Sequence, residues 1–455
     1  MKKHKRSTFS GKLGFVLSAA GASVGLGNIW RFPYLAAKYG GGIFLLVYII
    51  LALTFGYTLI MAETSLGRMT RKSPVGAFES FGNSRFISIG GWINAIIPIL
   101  IVPYYSVIGG WVIKYLIEYF AGHSKTLAGD AYFTTFISNG WSTEICFIIF
   151  TLFTLGIIYA GVRNGIERVS KFMMPILIVL SLIIAVYSVT RPGAIEGVKY
   201  FLVPNFDHFS WMTVVSAMGQ MFYSLSIAMG ILITFGSYMK KDTSIEKSTE
   251  NVEIFDTAIA IMAGLMIIPA VFAFSGGNAE TLKSGPALMF ITIPKVFANM
   301  GFGTAIGIVF FLLVLFAAVT SSIALTESAV STFEDELHWS RKKSTVFMGI
   351  VMLLLGTLSC LGYGPLANFK ILGMQFLDFF DFITNSVMMP IAAIATCLLV
   401  SKVVGVDKIE EEIKKDGQAF RRKKIFCFMI KYLCPLFAAI ILISSVANAF
   451  GIIIM

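Results

Sequence analysis

Six ionisable residues fall inside apolar stretches of this chain: Arg31, Glu63, Asp256, Glu327, Asp378 and Asp381. A charge in such surroundings is costly and is kept mainly where it serves a pathway or a site. Two runs combine small residues with oxygen donors. Gly21-Ala22-Ser23-Val24-Gly25-Leu26-Gly27-Asn28 holds three glycines and an amide. Gly219-Gln220-Met221-Phe222-Tyr223-Ser224-Leu225-Ser226 holds a Gln and two Ser, and Thr320-Ser321-Ser322 adds hydroxyls. Amide, hydroxyl and carboxylate oxygens, with carbonyls freed where a helix breaks, make a hard-oxygen set suited to a small hard cation. A single Ser or Thr in an apolar helix more often bonds back to its own backbone; the cluster is what points to a site. A nucleophile–base pair, a phosphate loop and a nucleotide-binding pattern are all missing, which argues against an enzyme and against ATP drive within the chain.

The elements that carry these residues follow from composition. Of 455 residues, 56% are hydrophobic and 13% charged, and mean hydropathy is +0.81. A soluble domain carries about 25% charged residues, so the chain cannot cover several soluble domains with polar surface. The fold class is all-α and polytopic in a membrane. A spanning helix needs about 20 apolar residues, and eleven candidates are read at 13–37, 42–67, 88–120, 142–160, 167–190, 212–238, 253–275, 304–332, 343–362, 375–401 and 425–454. The basic start resembles a secretory signal, but its apolar stretch runs on through Asn28, Trp30 and Arg31, so it reads as a retained first span.

Lys and Arg set the direction. With residues 1–12 as a cytoplasmic tail, most of the 36 basic residues fall on the inner side. They lie around Lys12, Arg68 to Arg85, Arg163 to Lys171, Lys240 to Lys247, Arg341 to Lys343, and across the charged segment 402–424. The net charge of +11 is therefore a topology signal and not a nucleic-acid footprint. The N-terminus is expected inside and, after eleven spans, the C-terminus outside. The five cysteines have no paired spacing and read as small core residues. The four histidines fall in or beside loops, which does not suit a buried metal site. The insert Ser401–Lys424, with Glu410–Glu412 and Lys414–Lys415, reads as a short cytoplasmic helix.

Both small-residue runs begin a set of five spans, the first in 13–190 and the second in 212–401, with 425–454 as an eleventh span. Glycine weakens a helix by about 1 kcal/mol relative to Ala, and non-helical backbone at this depth survives only in protein or beside a cavity. A shift of five spans reverses direction, so the halves read as inverted repeats with broken first and sixth spans. Paired breaks of this kind are the sequence pointer to a transporter site; close packing of small residues is the plainer alternative. Glu63 is expected to accept hydrogen bonds from amides freed in the sixth span.

These residues resemble the neurotransmitter:sodium symporter family. The run Gly25-Leu26-Gly27-Asn28-Ile29-Trp30-Arg31-Phe32-Pro33 with Gly40-Gly41-Gly42 is the most specific match. Tyr104-Tyr105, Gly219-Gln220, Ser224-Leu225-Ser226, Thr320-Ser321-Ser322, Phe333-Glu334-Asp335-Glu336, and Asp378 with Asp381 follow in family order. Eleven spans resemble the bacterial amino-acid branch, which implies a bacterial inner (plasma) membrane.

The resemblance implies roles. One sodium ion would meet the carbonyls of Gly21, Val24 and Ala317 and the hydroxyls of Thr320 and Ser321. A second would meet the Ser23 carbonyl, Asn28, Ser224, Asp256 and the substrate carboxylate. The amides of Gly25, Leu26 and Gly27 and the Tyr105 hydroxyl would hold that carboxylate. Carbonyls around Ser23, Tyr223 and Ser224, with the Ser226 hydroxyl, would take the ammonium. Ala22, Ile101, Tyr223, Met229, Ser321 and Leu325 would face the substrate side chain. Arg31 and Asp381 would close the outer side above Tyr105 and Tyr223, and Arg6 and Asp335 the inner side near Tyr238. The moving part would be the bundle of spans 1, 2, 6 and 7.

The implied function is sodium-coupled uptake of an amino acid by alternating access, with no organic cofactor. Gly25 stands where monoamine carriers have Asp, so an α-amino acid fits better than a bare amine. Met229 and Ala22 stand where the bacterial leucine transporter has Phe and Asn. They suggest a large apolar or aromatic L-amino acid, with tyrosine the leading candidate. A proton-coupled porter, using Asp256, and a substrate-sensing receptor of the same fold are the alternatives. Asp256 stands where chloride-dependent members have Asn, and Ala260 where they have Ser. A permanent carboxylate would supply the negative charge that two cations beside a zwitterion require. Replacing chloride by gluconate should leave uptake unchanged, and a collapse of uptake would overturn this assignment.

Overall fold

The computed structural model describes residues 6–276, 285–417 and 419–452. Lys2, Lys3, Lys5 and His4 lie outside them. The described chain is almost entirely helical. Its long helices in order are α1 (Lys12–Ser23), α2 (Gly27–Lys38), α3 (Gly42–Thr70), α4 (Arg85–Phe120), α5 (Gly140–Tyr159) and α6 (Val162–Val189). The second half has α7 (Trp211–Ser224), α8 (Ile231–Tyr238), α9 (Ile245–Ser275), α10 (Gly303–Glu336), α11 (Arg341–Leu361) and α12 (Phe376–Val404). A short helix α13 (Val406–Ile413) and a last long one, α14 (Lys423–Ala449), follow.

Among the described residues nine helices are long and apolar enough to cross a membrane, and the pair α1–α2, bent by 53°, makes a tenth crossing. The pair α7–α8 is too interrupted to count by length, and it supplies the eleventh. The fold is therefore two five-span halves with broken first and sixth members. At about 1.5 Å per residue, α4 and α10 are longer than a roughly 30 Å hydrocarbon layer and must tilt or protrude. They pack on each other, with α5 and α11 against them.

The first break lies inside its expected run. The α1 helix holds to Ser23, Val24 turns extended, and a wide helical turn over Gly27–Arg31 resumes the path. The second is displaced from expectation. Gly219 through Ser224 stay in regular helix, started by a reciprocal Ser210–Thr213 capping box. The chain unwinds instead over 225–230, where Ser226, Ala228 and Gly230 have φ of 52°, 58° and 70°. A glycine in an otherwise well-bonded helix costs little enough to be carried, and Gly219 is carried. As expected, Glu63 reaches this turn: the Ala228 N–H donates to its carboxylate at 2.6 Å.

The α3 and α8 helices touch backbone to backbone. A Cβ on Gly67 would lie 1.9 Å from the Ile233 carbonyl oxygen, and one on Gly236 would lie 2.4 Å from that of Thr64. These two helices can move only together. Gly67→Val should destabilise the protein by at least about 1–3 kcal/mol, as overpacking does, and lower its melting temperature in detergent. Gly156→Ala meets nothing within 4 Å and should leave melting unchanged or raised.

Candidate functional site

The breaks leave backbone groups without helical partners at the middle of the bundle, and the site is built on them. Ending α1 at Ser23 frees the carbonyls of Gly21, Ala22 and Val24. The Ser321 hydroxyl, on α10, lies 3.3, 3.2 and 3.4 Å from these three oxygens. On the preceding residue the Thr320 hydroxyl donates to the Phe316 and Ala317 carbonyls at 3.0 and 3.1 Å. The Ser321 hydroxyl and the carbonyls of Gly21 and Val24 thus form a small, neutral oxygen nest, and the neighbouring Thr320 hydroxyl stays bonded to the Ala317 carbonyl of its own helix.

A second cluster surrounds Asp256, which is fully buried on α9. Asn28 Nδ2 donates to Asp256 Oδ1 at 2.8 Å and to Ser224 Oγ at 2.9 Å. The Ser224 hydroxyl lies 2.9 and 3.0 Å from the two carboxylate oxygens. Tyr48 lies 3.0 Å from Asp256 Oδ2 and 3.1 Å from Ser224 Oγ. Among the described residues no Lys or Arg pairs with Asp256. All its partners are neutral donors, so a buried carboxylate here is a strong attractor for a small cation. Tyr48 was not singled out from sequence. It lies in a continuous apolar run on α3, and nothing local marks it.

Between the clusters is a small cavity of about 30 Å³, room for a water or two. Ala22, Ser23, Gly25, Leu26, Gly27, Ile101, Tyr105, Tyr223, Ser226, Met229, Ser321 and Leu325 line it, together with Asn28. Of the residues expected to face substrate, Ser224 alone lies off the wall, turned to Asp256. The Leu26 N–H donates to the Tyr105 hydroxyl at 3.3 Å, and the Gly25 N–H to Asn28 Oδ1 at 3.1 Å. The Ser226 hydroxyl donates to the Ala22 carbonyl at 2.8 Å, and Ser23 Oγ reaches the Leu225 carbonyl at 3.3 Å, so the two broken spans are stitched together. Only glycine fits at two of these positions. A Cβ on Gly25 would lie 2.7 Å from Ser321 Oγ, and one on Gly27 would lie 2.3 Å from the Tyr223 ring.

The two ends of the bundle differ. At one, Arg6 Nη1 bonds both oxygens of Asp335 at 2.7 and 2.8 Å, and the guanidinium stacks on the Tyr238 ring at 4.9 Å. Its other nitrogens donate to Ser237 Oγ at 3.0 and 2.9 Å. Burial works to lower the Arg6 pKa, but Tyr238 and Asp335 outweigh it and the guanidinium is held above its ordinary value. Tyr238 also donates to Glu327 at 2.6 Å, and Arg341 pairs with Glu327 at 2.5 Å. Ser237 was missed in the sequence, where one more Ser beside Tyr238 carries no signal.

At the other end Arg31 and Asp381, expected to close the outer side, stand apart in this structure. Arg31 lies over the Tyr223 ring at 5.3 Å. Asp381 accepts from Asn385 Nδ2 at 2.6 Å and from the Tyr104 hydroxyl at 3.2 Å. With these neighbours on Asp381, no direct ion pair joins it to Arg31 among the described residues. Arg31 and Asp381 border instead a cavity of about 420 Å³. The i, i+4 spacing of Asp381 and Asn385 on a helix was a legible hint of this. Asp378 accepts from Tyr363 at 3.2 Å and lines the same cavity.

Comparison with known proteins places this geometry. Residues 6–147 and 133–452 match the sodium:neurotransmitter symporter family. A sodium-dependent transporter of Bacillus subtilis is 33% identical over 99% of both chains. One from Haemophilus influenzae is 31% identical over 97% of this chain and 98% of its own. The crystal structure of MhsT in complex with L-phenylalanine superposes with a TM-score of 0.87 at 34% identity, covering 97% of this chain and 100% of that one. The chain belongs to the sodium:neurotransmitter symporter family, whose members are membrane transporters that depend on sodium and not enzymes.

Proposed function

We propose that this chain imports a large apolar or aromatic L-amino acid, tyrosine being the leading candidate, together with two sodium ions. The observation that carries the reading is Asp256: a fully buried carboxylate held only by neutral donors, one residue layer from a pocket walled by freed amides and apolar side chains. Phenylalanine in MhsT, a relative of high structural similarity, supports the aromatic class. The first sodium would enter the Asp256 cluster, and the second the nest of Gly21, Val24, Ala317, Thr320 and Ser321. Each ion moving inward down about 100 mV releases about 2.3 kcal/mol from the potential alone.

The geometry suggests how ion and substrate are coupled. Asn28 turns its Nδ2 to Asp256 and Ser224 while its Oδ1 engages the Gly25 N–H. A sodium ion beside Asp256 would draw the amide over, so that Oδ1 faces the ion. That turn releases the Gly25 N–H for the substrate carboxylate, next to Leu26 N–H and the Tyr105 hydroxyl. The ammonium would meet carbonyls around Ser23, Tyr223 and Ser224 with the Ser226 hydroxyl, and Met229, Ile101 and Leu325 would shape the side-chain wall.

With the N-terminus cytoplasmic, the Arg6–Asp335 end faces inward and is shut, and the cavity between Arg31 and Asp381 faces outward. The bundle of α1–α2, α3, α7–α8 and α9 would swing against α4, α5, α10 and α11 to exchange the two openings. No observation favours a receptor, which would bind without accumulating.

Two measurements test the reading. Proteoliposomes under an imposed sodium gradient should accumulate labelled tyrosine, phenylalanine, leucine or tryptophan, with choline in place of sodium abolishing uptake. Sodium-independent uptake driven by a pH gradient would instead select the proton-coupled porter. Tyr105→Phe removes the hydroxyl expected to bond the substrate carboxylate and should weaken equilibrium binding by about 1–3 kcal/mol. Unchanged binding of the labelled amino acid would remove Tyr105 from the site.

A further inference from the structure

The charged segment between α12 and α14 has no part in ion or substrate binding, yet it is among the most firmly anchored parts of the Arg6 end. On α13, the apolar residues Val406, Ile409 and Ile413 are buried, and Glu412 faces Arg68 at the end of α3. Arg68 Nε donates to Glu412 Oε1 at 2.7 Å, with side chains 0% and 3% exposed, and a second guanidinium nitrogen bonds the Glu412 carbonyl. The third donates to the carbonyl of Thr243, in the loop between α8 and α9, at 2.6 Å. Further along, Glu246 in the first turn of α9 accepts from the backbone N–H groups of Arg421 and Arg422 at 3.0 to 3.1 Å, and from the Tyr57 hydroxyl of α3 at 2.9 Å. Arg422 lies over the Tyr57 ring at 4.6 Å and pairs with Glu253 at 3.3 Å.

Every one of these anchors is on α3, α9 or the loop that joins α8 to α9. We infer that residues 406–417 and 419–422 form a strap that travels with the α3–α8–α9 side of the bundle as one body, carrying the start of α14 with it. This rests on the alternating-access reading above. Releasing the strap in each cycle would strand a fully buried guanidinium without its counter-charge, a strongly destabilising state. Motion is absorbed at the strap's ends instead. Gly405, between α12 and α13, has φ of 87°, and an added Cβ there would meet nothing within 4 Å, so only its backbone freedom is at stake. On the other side, α14 has a wide π-helical turn over Met429–Leu433 followed by Pro435, a place where a helix bends readily.

Spin labels on exposed residues test this in the full-length protein, in a Cys427→Ser background. Lys408→Cys reports the strap, Lys247→Cys the bundle and Lys342→Cys the scaffold helix α11. On exchange of sodium plus substrate for potassium, the 408–247 distance should hold within about 2 Å while 408–342 and 247–342 shift together by several ångströms. A shift in 408–247 with 408–342 fixed would assign the strap to the scaffold and overturn the proposal. No change in 247–342 would remove the alternating-access motion itself, and the strap's travel with it. Gly405→Ala adds a functional readout: uptake should slow about three-fold or more, with equilibrium substrate binding altered less than about two-fold. Uptake at the wild-type rate would remove Gly405 as the hinge.

Discussion

A peptide group released from a helix in the middle of a membrane has no water to bond, so it must be satisfied by protein or by what the protein binds. The whole central architecture follows from this constraint. The chain releases backbone at 24–26 and at 225–230, and each release is placed where partners converge. Ser321 gathers the carbonyls at the end of α1, Glu63 takes the Ala228 amide, and the Ser23 and Ser226 hydroxyls cross between the two breaks. A break without such partners would cost several kcal/mol per group. Unwound backbone and its polar support therefore have to be inherited as one unit.

The same low-dielectric surroundings set the electrostatics. Arg6, Arg68 and Arg341 each have a carboxylate partner in contact: Asp335, Glu412 and Glu327. Asp256 is the contrast, since hydroxyl and amide groups surround it and no cationic side chain does. Paired charges hold the ends of the bundle together, whereas Asp256, under the proposed function, waits for a mobile counter-ion.

Much of this was legible in the sequence, because apolar length and small-residue runs are local properties. The helices stand close to their expected bounds, and the residues drawn from scattered runs meet around one cavity. What was not legible depends on contacts between distant residues. Ser226 and Ala228 adopt left-handed backbone without being glycine, which no composition rule anticipates, so the second break begins only at the end of the Gly219–Ser226 run and extends beyond it. The expected closure of Arg31 on Asp381 comes from the family resemblance and not from any packing readable in the sequence. Tyr104 and Asn385 hold Asp381 instead, a competition that only packing decides. Arg68 and Glu412 are 344 residues apart in the chain, and the charged insert gave no sign that one of its glutamates is buried.

The nest beside Ser321 is made mostly of main-chain oxygens. A point mutation changes a side chain and leaves the carbonyls of Gly21, Val24 and Ala317 where the backbone puts them. The wall of the neighbouring cavity is different, because Ile101, Met229 and Leu325 contribute only side chains to it. Under the proposed function, selection can redraw the shape of the bound amino acid one residue at a time without touching that oxygen nest. On that reading, an architecture arranged this way can diversify across many nutrients while its power source stays fixed.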